Sequence, residues 1–157
     1  MRGGAWPGSA ETSSTWTGRP ISRRIGETPP GHTVAVGWLT DDRRLTRAHA
    51  RVLERAERSG TPVGLSAISL WEIAKLVERR RIELDQTIDE SLAELEAHPG
   101  FAVLPLSARI AVESTRLGAR FPSDPVDQII AATARCHALT LLTVDERIIE
   151  SGAVAVG

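Results

Sequence analysis

The chain has 157 residues, 41% of them hydrophobic, which is enough for one domain with a real core and too little for two enzymes in tandem. With 19 basic against 20 acidic residues the net charge is −1, so no global positive field holds nucleic acid and any polyanion must be gripped locally. The single cysteine, Cys136, excludes an internal disulfide and a cysteine-rich zinc site. No apolar stretch approaches the roughly 20 residues that span a bilayer. No apolar run follows Arg2 as a secretory signal would need, so a cytoplasmic protein is expected. Tyrosine is absent and phenylalanine scarce, which argues against a broad base-stacking platform.

Residues 1–31 contain 18 Gly, Pro, Ser or Thr, with isolated Trp6 and Trp16 and no helical or strand period, and read as a disordered or aberrant N-terminal segment. The domain is expected over 32–157. Val34, Ala35, Val36, Trp38 and Leu39 form an apolar run ended by Thr40-Asp41-Asp42-Arg43-Arg44. Thr46 to Ser59 carries Ala48, Val52, Leu53 and Ala56 at helical spacing, with Gly60 as the stop. Val63 to Ile68 reads as a strand leading into Ser69-Leu70-Trp71-Glu72, a Ser-x-x-Glu capping pattern opening a helix to about Arg80. Thr87 and Glu90 repeat that pattern for a helix to Ala97, and Pro99-Gly100 breaks the chain before the strand Phe101 to Leu104. A helix is expected from Ser107 to Ala119 and another from Asp124-Pro125 to about His137. Leu139 to Val144 reads as a buried strand, with last elements at Asp145 to Glu150 and Ala153 to Val156.

Apolar strands alternating with helices of 10–15 residues indicate an α/β fold with a parallel sheet covered on both faces. In such sheets sites form outside the carboxyl ends of the strands. Glu72, Asp124, Asp127 and Asp145 each sit at or near an expected helix start, and the topology would bring those starts to one edge. Converging carboxylates repel unless a cation neutralises them. A hard divalent ion, Mg2+ or Mn2+, suits an all-oxygen set and leaves room for a substrate phosphate. Each acid also has a simpler reading, because Asp124 with Pro125 is a natural N-cap, Asp127 suits the first-turn dipole, and Asp145 can cap the short helix behind it.

Ser66-Ala67-Ile68-Ser69-Leu70-Trp71-Glu72-Ile73, Asp124-Pro125-Val126-Asp127-Gln128-Ile129-Ile130-Ala131-Ala132-Thr133-Ala134 and Leu141-Leu142-Thr143-Val144-Asp145 resemble the PIN-domain ribonucleases, within them the VapC toxins of toxin–antitoxin pairs. Thr40 to Leu45 resembles the segment after that family's first helix. The likeness covers about residues 32–157 and implies a three-layer α/β/α domain with a central parallel sheet. It further implies an acidic pocket that binds Mg2+ or Mn2+ and cleaves RNA of the tRNA or rRNA class, a homodimer, and a cognate VapB-like antitoxin. By motif position it assigns metal binding chiefly to Asp127, the positioning of water to Glu72 and Asp145, a subgroup acid to Asp124, and a pocket hydroxyl to Thr143.

The family opens with an apolar strand ending in Asp-Thr or Asp-Ser, and this chain has Thr28-Pro29-Pro30-Gly31 where that pair belongs. Proline cannot donate to a central ladder. Either the tail replaces a lost strand and leaves an impaired enzyme that retains antitoxin or RNA binding, or a shifted reading frame or misplaced start supplies residues 1–31. Translating the upstream DNA in all frames tests the second. In another register Thr33 to Leu39 is the first strand and Asp41 or Asp42 its acid; a solvated turn is the preferred reading there. Arg79-Arg80-Arg81 and Arg43-Arg44 read as solvated runs before phosphate contacts, and Cys136 as a buried packing residue. A phospho-acceptor receiver domain is excluded because the only lysine, Lys75, is mid-chain.

Overall fold

The computed structural model describes Arg51, Arg58 and residues 60–157. The expectations for residues 1–31, for His32 to Leu39, for Asp41, Asp42, Arg43 and Arg44, and for His49 lie outside the described residues. Of the helix expected from Thr46 to Ser59, Arg51 and Arg58 are described and both are helical and exposed. Gly60 behind them has φ +64°, the left-handed conformation that glycine adopts freely after a helix.

From there the order is β1 (Val63–Ser66), α1 (Ala67–Glu78), α2 (Ile88–Ala97), β2 (Phe101–Leu104), α3 (Ala108–Ser114), α4 (Pro125–Cys136) and α5 (Glu146–Ser151). β1 and β2 are parallel, with Val63 opposite Phe101 and Ser66 opposite Leu104. Neighbouring strand residues face opposite sides of a sheet, and the packing follows that rule. Leu65 joins Ile73, Leu76, Ile82 and Leu95 in a core under α1 and α2, on which Phe101 and Val103 also pack. Ser66, one residue on, bonds to Thr133 of α4, whose Ile130, Ala131 and Ala134 belong to a second core with Phe121, Leu141 and Ile148. Helices thus cover both faces of a parallel α/β sheet. Gly64 has a packing reason: a Cβ there would meet Leu139 Cδ1 at 2.8 Å and Leu104 Cδ1 at 3.0 Å.

Several boundaries differ from expectation. α1 opens at Ala67 with Ser66 as N-cap, so Ser69-Leu70-Trp71-Glu72 is not a capping box. β1 runs straight into the helix after Ser66, its last ladder residue, and Ser69 is carried inside, fully buried. The same pattern at Thr87 and Glu90 does form a box: Glu90 N–H donates to Thr87 Oγ1 at 3.3 Å and Thr87 N–H to Glu90 Oε2 at 3.1 Å. α3 stops at Ser114 rather than Ala119, because Ser114 and Thr115 turn their hydroxyls onto the carbonyls of Ala111 and Val112.

Leu139 to Val144 is not a six-residue buried strand; it makes one parallel bridge, Leu141 to Val156. Its two ends are taken by turns. Leu139 N–H closes α4 onto the Ala134 carbonyl, and Thr143 Oγ1 accepts from Asp145 N–H as the chain turns into α5. Cys136 is half-buried, not buried. Of the run Arg79-Arg80-Arg81 at the end of α1, Arg79 and Arg80 are exposed and Arg81 is half-buried. Ile73 and Leu76 face the core while Trp71 stays 50% exposed, with the Lys75 ammonium 6.0 Å from its ring centroid. Among the described residues no helix is long and apolar enough to cross a membrane.

Candidate active site

Two helix starts place most of the acids. At α4 Pro125 occupies the first helical position, where its missing N–H costs nothing. Asp124 Oδ1 then accepts from Val126 N–H at 2.8 Å and Asp127 N–H at 3.2 Å. Asp124 is therefore a working cap, exposed at the surface. Asp127, three residues on, is turned inward and only 6% exposed. At α5 Asp145 is the N-cap, 5% exposed, accepting from Arg147 N–H through Oδ1 at 2.9 Å. Glu72 comes from the second turn of α1 and is half-buried.

The four acids share one electrostatic neighbourhood. Asp127 is pushed up from 3.8 to about 7, first by burial and then by the charges of Asp124, Asp145 and Glu72, against a smaller opposing field from Arg147. Asp145 is held below the usual carboxylate range, chiefly by its hydrogen bond from the Arg147 side chain, against its burial. The fold thus brings Glu72, Asp124 and Asp145 within electrostatic range of Asp127.

They do not stand in a ready-made ligand shell. Among the described residues no three His, Cys, Asp or Glu side chains are grouped closely enough to hold a metal ion. The reason lies in the caps: Asp124 is turned toward its helix N–H groups, and Asp145 toward Arg147. The donor chemistry nevertheless suits a hard dication. Every donor is a carboxylate oxygen, and the buried Asp127 carboxyl accepts no hydrogen bond from a described residue, so among the described residues Arg147 acts against three like charges.

Two features escaped the sequence reading, and a third residue has a different role from the one expected. Arg147 lies inside the cluster, its Nη2 2.8 Å from Asp145 Oδ2; an acid followed two residues later by arginine at a helix start was the available signal. Thr133 Oγ1 donates to the Ile129 carbonyl at 2.7 Å, so Ser66 Oγ must donate to it across 3.1 Å. That bond ties the end of β1 to α4 beside Asp127, and no local pattern announces it. Thr143, expected as a pocket hydroxyl, is buried and accepts from the backbone N–H of Asp145 at 3.1 Å, fixing the turn that carries the acid.

Capping and chemistry at Asp124 can be separated by two substitutions. Asparagine caps as well as aspartate, whereas Asp124→Ala is expected to cost about 1 kcal/mol of stability. Urea unfolding of both variants, at fixed pH, should show Asp124→Asn close to the parent protein and Asp124→Ala clearly below it.

Acids gathered at helix starts beside a parallel α/β sheet are the arrangement of a PIN domain; the PIN domain profile matches residues 33–153, and the chain belongs to this family. It is 32% identical over 115 residues to Ribonuclease VapC22 of Mycobacterium tuberculosis, a match covering 73% of this chain and 84% of that relative. No solved structure gives a significant match.

Proposed function

We propose that the chain is a VapC-type endoribonuclease toxin, dependent on Mg2+ or Mn2+ and restrained by a VapB-like antitoxin. The observation that carries the reading is Asp127: a carboxyl buried beside three other acids, held at about 7 by burial and their charges, is a site that a divalent cation would relieve. Similarity to a ribonuclease over most of the chain supports the substrate class.

In this reading Asp127 holds the cation, with Glu72 and Asp145 around it. The bound ion supplies a Lewis acid that lowers the pKa of water and stabilises charge on a phosphodiester in transit. Glu72, half-buried on α1, and the remaining lone pair of Asp145 Oδ2 accept hydrogen bonds from the attacking water and fix its direction. Asp124 contributes negative charge from the rim while capping α4. The wide, half-exposed Trp71 on α1 supports a homodimer, and the profile match over residues 33–153 supports a domain over 32–157. The RNA is of the tRNA or rRNA class, and the protein acts in the cytoplasm.

The test is incubation of the purified full-length chain with a mixed structured RNA in Mg2+ or Mn2+, with an EDTA control. Endonucleolytic cleavage that EDTA abolishes and added cation restores is the expected result. A folded, monodisperse protein that cuts no RNA under these conditions would overturn it in favour of an impaired PIN domain that only binds antitoxin or RNA.

A further inference from the structure

Arg147 forks onto Asp145. Its Nε–H donates to Oδ1 at 3.2 Å, its Nη2–H donates to Oδ2 at 2.8 Å, and its backbone N–H donates to Oδ1 at 2.9 Å. A carboxylate offers about four lone-pair positions. Oδ1 has both of its positions filled and Oδ2 one, so a single residue takes most of the places where Asp145 could meet a cation. The two partners differ in freedom. The Asp145 side chain is 3% exposed and the Arg147 side chain 58%. Packing fixes the acid, while the arginine side chain lies largely at the surface. The fork can open without undoing α5, because the backbone N–H bond to Oδ1 caps the helix by itself.

We infer that Arg147 is a built-in counter-ion that competes with the divalent cation for Asp145, so that loading the acid cluster requires the fork to open. This inference rests on the cation-binding reading above and concerns what stands in the cation's way. A guanidinium and a dication that share one buried carboxylate repel each other, and the guanidinium, unlike the carboxylate, lies at the surface. The competing picture is a supporting arginine that orients Asp145 for the metal. Its removal would then weaken binding, typically by about 10–100-fold. The two pictures predict opposite signs.

Calorimetric titration of Mn2+ into the full-length, metal-stripped protein reads that sign directly. Arg147→Met is expected to bind Mn2+ on the order of tenfold more tightly, as follows from removing a charge beside a dication and freeing an oxygen donor. Arg147→Lys keeps the charge but cannot make the fork, and should fall between Arg147→Met and the parent. Melting curves establish that each variant is folded. Binding that is unchanged or weaker in Arg147→Met overturns the inference, and Arg147→Lys equal to the parent reduces Arg147 to a field effect and overturns the competition. Mn2+ binding that is lost in Asp127→Asn but indifferent to Arg147 sinks this inference alone. No binding by the folded parent and the folded Arg147→Met alike sinks the cation reading with it.

Discussion

Asp127→Asn is expected to stabilise the metal-free protein at pH 8 by up to about 4 kcal/mol, with the gain vanishing near pH 4. The size follows from a folded-state value of about 7 against an ordinary 3.8, each unit being worth about 1.4 kcal/mol. The sign follows from proton counting. Between those two values the folded state holds a proton that the unfolded chain has already lost, so stability falls as pH rises through the window. Below pH 4 both states are protonated and Asp127 costs nothing extra. Above pH 7 the folded protein carries a buried carboxylate against Asp124, Asp145 and Glu72. Asparagine has nearly the same shape and no charge, and its amide can donate to those same carboxylates. Asp145 has the opposite dependence, its folded-state value being lowered by Arg147, but both proteins retain it and the term largely cancels in the comparison. Urea unfolding of parent and variant in EDTA from pH 4 to 8 checks the prediction. Curves that run parallel across this range would show that Asp127 is not under strain.

That strain could be anticipated only in part from the chain. Asp124-Pro125-Val126-Asp127 announces a capped helix with an acid in its first turn, because capping is local chemistry among adjacent residues, and the cap is present at 2.8 Å. The Thr87–Glu90 box was readable for the same reason. Ser69 and Glu72 carry the same signature and it misleads, since the helix there begins where the strand leaves its partner, a tertiary event. Leu139 to Val144 has the apolar character of a strand, yet the turns that close α4 and open α5 consume both ends and leave one bridge. The burial of Asp127 and the bond between Ser66 and Thr133, 67 positions apart, depend on packing that no local pattern encodes. Arg147 lies between these cases: its nearness to Asp145 is written in the sequence, but its fork depends on the cap geometry.

RNA cleavage is expected to fall by roughly 10³-fold in the same Asp127→Asn variant, the equivalent of about 4 kcal/mol of lost transition-state stabilisation. Stability and activity thus move in opposite directions at one residue, as they do where a site is held together against its own repulsion. Among the described acids Asp127 should dominate. It is the deepest of the four whose oxygens are not already committed, because Asp145 is forked by Arg147 and Asp124 is spent on its cap. Glu72→Gln, on the half-buried second turn of α1, should lose less, about 10–100-fold, since a residue that orients water contributes less than one that holds the cation. Measuring cleavage under saturating Mn2+ separates lost chemistry from lost metal affinity, and melting curves at the assay pH exclude unfolding, which the expected stabilisation of Asp127→Asn already opposes. An Asp127→Asn protein that cuts RNA near the parent rate would move the chemistry away from the start of α4. Loss in Glu72→Gln exceeding that in Asp127→Asn would instead place the principal cation ligand on α1.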